Sequence, residues 1–169
     1  MQTTLKLYSL GYSNVKTYLF TALFIIGNVA MPQLFHQIPQ GGIIWLPIYF
    51  FTLIAAYKYG WRVGLLTAIA SPLVNSIFFG MPAAAALPAI MLKSGVLALV
   101  AGYFAQRFKS AALWQLLVVV LAYQTIGTLG EWVLKGDIFV ALQDFRIGIP
   151  GMLLQIVGGW AVINYLIRK

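Results

Sequence analysis

Six apolar stretches, each close to the length that crosses a bilayer, follow one another along the chain with little between them. A helical span takes about 20 mainly apolar residues. Inside lipid a backbone must satisfy its own N–H and C=O groups, which only helices and closed barrels achieve. A barrel strand alternates apolar and polar residues. The run from Leu113 to Ala122 does not alternate, so the stretches read as helices. The expected spans are 15–31, 43–59, 61–79, 83–104, 113–134 and 147–167. The fold class that follows is an all-α membrane protein, a compact bundle of six transmembrane helices. Charged residues make up only 8% of the chain and hydrophobic residues 62%. A soluble domain carries about 25% charge, so a soluble core is excluded.

No polar linker, repeat or low-complexity tract divides the sequence, and one domain over residues 1–169 is expected. The first span lacks a small-residue cleavage site and is long for a signal peptide, so it reads as a retained helix. The segment from Met1 to Asn14 sets Leu5, Leu7, Tyr8 and Leu10 among polar residues, as an interfacial piece would. Cysteine is absent, which excludes disulfides and thiolate chemistry.

The net charge of +8 is concentrated at helix ends. With the N-terminus inside, Lys6, Lys16, Lys58, Arg62, Arg107, Lys109, Arg168 and Lys169 fall on the cytoplasmic side. Only Lys135 and Arg146 fall outside. From that bias both termini are expected on the cytoplasmic side. It assigns the basic charge to topology and lipid headgroups rather than to nucleic acid. The longer outer segments, Pro32 to Gly42, Gly80 to Pro82 and Lys135 to Gly148, are where a site is expected.

Chemistry-bearing residues are few. His36 is the single histidine, and Glu131, Asp137 and Asp144 are the only acids. They show no metal-ligand spacing, and no phosphate-cradling glycine motif occurs. An enzyme, a metal site and ATP binding by this chain are therefore not expected, and no cofactor is implied. Lys93 lies inside the fourth span, where an ionisable group is costly and faces the bundle or a cavity. It is read either as a holder of an anionic or carbonyl group, or as a lysine that snorkels outward or pairs with Glu131. Asn75, in Ser71-Pro72-Leu73-Val74-Asn75-Ser76, either lines a pocket or packs helices. Trp45, Tyr123 and Trp132 either stack on a ring ligand or belong to an interfacial aromatic belt. Gln124, polar in an apolar run, is expected to face the interior. The expected binding set is therefore Lys93, Glu131, Asn75, Trp45, Tyr123, Gln124, Trp132 and His36. Small residues form rows at Gly60, Gly64 and Ala68, and at Ala22, Gly27 and Ala30, which suit close helix packing or a partner membrane protein.

The stretch from Gly60 to Pro88 resembles the third helix and third loop of S-components of energy-coupling factor transporters. Its marks are Gly60 and Gly64, Ser71-Pro72-Leu73-Val74-Asn75 and Gly80-Met81-Pro82. Chain length and helix count extend the resemblance over nearly the whole chain. It implies a prokaryotic membrane subunit that captures a vitamin or related micronutrient at the outer face. It also implies partners: a transmembrane coupling subunit, docked through the first helix near Ala22, Gly27 and Ala30, and a pair of ATPases. The alternative is a scaffold similar to rod-shape-determining membrane proteins, which needs no polar pocket.

Overall fold

The computed structural model describes residues 6–167. It is all-helical among the described residues, with six helices long and apolar enough to cross a membrane. These are α1 Val15–Phe35, α2 Gly41–Tyr59, α3 Trp61–Phe79, α4 Ala84–Phe108, α5 Leu113–Lys135 and α6 Ile149–Leu166. The chain is a multi-pass membrane protein. Two short helices, Ile138–Ala141 and Gln143–Ile147, fill the connection before α6. Residues Met1 to Leu5, Arg168 and Lys169, which entered the charge and interface readings above, lie outside the described residues.

α2 is the central post. From Leu53 to Tyr57 every residue is buried. A helix buried all round is one that its neighbours enclose, and α2 packs against α1, α3, α4 and α6. α1 stands at the rim, with Leu19, Leu23 and Ile26 exposed where lipid would lie. Gly64 lets α3 close on α2: a Cβ there would run into the Ala56 backbone. In lipid such close approach supplies the van der Waals contact that holds helices together.

Three helices meet at a polar hub. Asn28 of α1 donates to Thr52 Oγ1 of α2 at 2.9 Å and to Ser71 Oγ of α3 at 3.2 Å. Its Oδ1 accepts the Phe51 N–H at 3.2 Å. Asn75 Nδ2 then donates to the Asn28 carbonyl at 2.9 Å and to the Ser71 carbonyl at 3.0 Å. Nothing in the spacing of α1 singled out Asn28, because its partners are remote in sequence.

One end of the bundle carries the chain's first described residues, and is called here the terminal end. There the segment before α1 is not helical. It lies along the end of α2, with the Tyr8 and Leu10 N–H groups donating to the Lys58 and Tyr59 carbonyls. Tyr57 Oη donates to the Ser110 carbonyl at 2.7 Å, and Asn164 Nδ2 to the Ala111 carbonyl at 3.0 Å. Lys58, Arg62, Arg107 and Lys109 sit on helix ends or turns of this side.

The opposite, loop end departs from the expected spans. α1 continues through Pro32 to Phe35. α2 is broken at Leu46, whose backbone is left-handed, between Gly41–Trp45 and a 3-10 turn at Pro47–Tyr49. The last helix also departs from a regular α-helix, with π-helical stretches at Leu154–Gly158 and, toward the terminal end, at Val162–Leu166. A proline, a left-handed residue and wide turns all escape a reading by apolar length alone.

Replacing Asn28 with Val removes three hydrogen bonds and leaves Thr52 and Ser71 without that donor. The expected result is a loss of about 1–3 kcal/mol, read as an earlier unfolding midpoint of the detergent-solubilised protein. An unchanged midpoint would remove the hub from the account of stability.

Candidate functional site at the loop end

Lys93 faces α5 across Gly127. A Cβ at Gly127 would fall on Lys93 Cγ, so the missing side chain lets the lysine stem lie flat along α5. One helical turn further along α5, Glu131 meets it. Lys93 Nζ is 2.5 Å from Glu131 Oε2 and 2.7 Å from Asp144 Oδ2. Lys135, one turn beyond Glu131, places its Nζ 2.5 Å from Glu131 Oε1. The side chains of Lys93, Glu131 and Asp144 are only 2%, 9% and 18% exposed.

Asp144 reaches Lys93 because the chain folds back after α5. The Gly136 N–H closes α5 on the Trp132 carbonyl. Asp137 then caps the next short helix, its Oδ1 accepting from Phe139 N at 2.8 Å and Val140 N at 3.3 Å. The following short helix, Gln143–Ile147, carries Asp144 inward. Asp137 thus serves the loop's own backbone, whereas Asp144 ties the loop to α4. The four charges cancel: two ammonium groups face two carboxylates.

Two hollows open beside this cluster. The first, about 230 Å³, is lined by the four charged residues, by Gln143, and by Leu46, Ile48, Tyr49, Ala89 and Ile90. The second, about 360 Å³, lies between Pro32, His36, Pro47, Asn75, the Gly80–Pro82 turn and Ala83. They share a wall of Gly42, Ile43, Ile48, Ala86 and Ile90. The Met81–Pro82 peptide in the second is cis. The left-handed Leu46 sits on the rim of the first. A non-glycine residue in that region is held there by its surroundings at a cost of order 1 kcal/mol.

Asn75 gives the second hollow a directional group. Both of its amide bonds are donated, so the Nδ2 assignment follows from two carbonyl acceptors. Its Oδ1 has no partner among the described residues, although Asn75 is 1% exposed. Lys93, Glu131, Asn75 and His36 of the expected set therefore line the paired hollows. The other four do not. Trp45 is half-buried against Phe35, with ring centroids 5.3 Å apart. Trp132 is exposed on the outside of α5, as a belt residue would be. Tyr123 is fully buried, donating to Gln155 Oε1 at 2.9 Å and packing on Tyr49. Gln124 is fully buried, with neither amide atom partnered among the described residues. The direction each of these rings faces is set by the bundle, which apolar length and depth do not specify.

Asp144, Lys135, Tyr49 and the shared wall were missed. Asp144 was legible only as an acid in a long loop, since Lys93 lies 51 residues away in sequence. On α1, Ala22 and Ala30 are exposed, but Gly27 does not share their face and packs against Phe51. Among the described residues no cluster of His, Asp and Glu has the arrangement of a metal site. Neither a family model, a curated protein nor a solved structure matches the chain.

Removing the cation should expose how much the cluster holds. Lys93→Met leaves Asp144 without its ammonium partner, and breaking a buried pair in this way costs about 3 kcal/mol or more. Adding Asp144→Asn to Lys93→Met should recover part of that loss, because the two positions interact. Strict additivity in urea unfolding of the single and double variants would show that the contact contributes nothing.

Proposed function

We propose that this protein is the substrate-capturing membrane subunit of an importer of the energy-coupling factor type. It takes up a vitamin or related micronutrient through the paired hollows at the loop end. The observation that carries the proposal is the combination found there. Two adjoining hollows of mainly apolar lining hold a few polar groups, among them a buried, unpartnered Asn75 Oδ1. Small-molecule sites have this composition. A scaffold needs no such cavity.

The basic residues of the terminal end favour the cytoplasm, which turns the hollows to the outside of a prokaryotic plasma membrane. Substrate then enters between the α1–α2 connection, the Gly80–Pro82 turn and the segment between α5 and α6. Lys93 serves this site as half of an ion-paired brace. It is held by two carboxylates, so it is no open anchor for an acidic ligand. The chain has no phosphate-cradling motif of its own. A transmembrane coupling subunit and an ATPase pair would supply the work of transport, docked on the exposed α1 face that bears Ala22 and Ala30.

Native mass spectrometry of the gently released protein should show a stoichiometric small molecule of vitamin-like mass. Ala86→Trp, which narrows the wall common to both hollows, should abolish that adduct without lowering the yield of folded protein. A bare chain, together with a vitamin panel that leaves the melting temperature unmoved, would turn the reading to the scaffold.

A further inference from the structure

The chemical class of the captured molecule follows from what the two hollows leave unsatisfied, and this step rests on the capture reading above. In the charged hollow the carboxylates and ammonium groups already neutralise one another. Glu131 takes both Lys93 and Lys135, and Asp144 takes Lys93. A ligand carboxylate would put a third negative group beside two others and compete with them for the same ammonium groups. Like charges at such range disfavour ionisation. A ligand cation would find only Asp144 Oδ1 without an ammonium contact, and would sit beside two ammonium groups that repel it. Net charge of either sign is therefore selected against.

Hydrogen-bonding capacity is not exhausted. An ammonium group has three hydrogens, and Lys93 directs its charge to two carboxylates while Lys135 contacts one. Each lysine keeps a hydrogen for a neutral acceptor. In the other hollow the free group is an acceptor, Asn75 Oδ1, whose own amide hydrogens are committed to Asn28 and Ser71. The rest of that wall is proline, glycine, alanine, isoleucine and methionine, with His36 exposed at its edge. An apolar slot with one buried acceptor, beside a cluster with spare donors, complements a flat molecule that carries an N–H and a C=O.

We infer that the loop-end site takes an uncharged planar amide or lactam, whose N–H is donated to Asn75 Oδ1. Amides and lactams present donor and acceptor together without a formal charge. A site built to pair a ligand N–H rejects the analogue that lacks it, because the buried acceptor is then left unpaired.

The test uses the wild-type protein and matched probes, so that no variant need fold. Ligand-observed NMR titration compares uracil with orotate, which adds a carboxylate, and with 1,3-dimethyluracil, which removes the N–H. Benzamide, 4-carbamoylbenzoate and N,N-dimethylbenzamide form a second set. The expected result is binding by uracil or benzamide that weakens at least tenfold on adding the carboxylate and at least tenfold on methylation. Ala86→Trp should remove it. Equal or tighter binding of the carboxylates, or indifference to methylation, overturns the inference while leaving capture at this site intact. Silence from all six probes also overturns the assigned class. Capture itself fails only if the mass spectrum shows a bare chain and the vitamin panel leaves the melting temperature unmoved.

Discussion

A polar group inside lipid has no water to fall back on, and the architecture follows from how the polar side chains that join helices are paired. Backbone groups are satisfied within six helices. Two clusters of paired side chains each tie three elements together. Asn28 gathers α1, α2 and α3 through Thr52, Ser71 and Phe51. Lys93 gathers α4, α5 and the loop before α6 through Glu131 and Asp144. Apolar packing fills the volume between these ties but is non-directional. The polar contacts select one register, since any slip leaves a charge or an amide unpaired in a medium of low dielectric.

The same pairing shapes the loop-end site. Asn75 spends its donors on the hub and is left with a buried acceptor, unpartnered among the described residues, in the wall of the hollow. Lys93 spends its charge on two carboxylates and is left with hydrogen-bonding capacity but little net field. A lysine in a membrane span looks, in isolation, like a holder of anions. Set between Glu131 and Asp144 it becomes a brace for the wall of a cavity. The break in α2 at Leu46 belongs to this arrangement too. It lets Gly42 and Ile43 on one side, and Ile48 and Tyr49 on the other, face the first hollow.

Much of this was legible in the residues. Span number and the helical class followed from apolar runs, because the bilayer sets a length and forbids open backbone. α3 was placed to its ends, Trp61 and Phe79, since Gly60 and Gly80 bound it. Other ends moved by a few residues: α1 runs through Pro32, and α4 extends to Phe108. The polar residues worth attention in the spans, Lys93, Glu131 and Asn75, were also visible, because such residues are costly there unless used. Trp45, Trp132 and Tyr123 show the limit. An aromatic ring suits a ligand, a lipid interface and a core equally well, and only its neighbours choose: Phe35 for Trp45, the outer surface for Trp132, Tyr49 and Gln155 for Tyr123.

The sequence by itself determined that this chain crosses a membrane as helices and which of its residues are too polar to be idle. Both are consequences of local composition against a fixed hydrocarbon thickness. Only the tertiary structure decided what those residues do. It brought Asp144 to Lys93, set Asn75 against Asn28, and placed Ile48 and Ala86 between two hollows. Each of these depends on how helices distant in sequence rotate and cross, and that is settled by mutual packing and by the pairing of buried polar groups, neither of which is written in any single stretch.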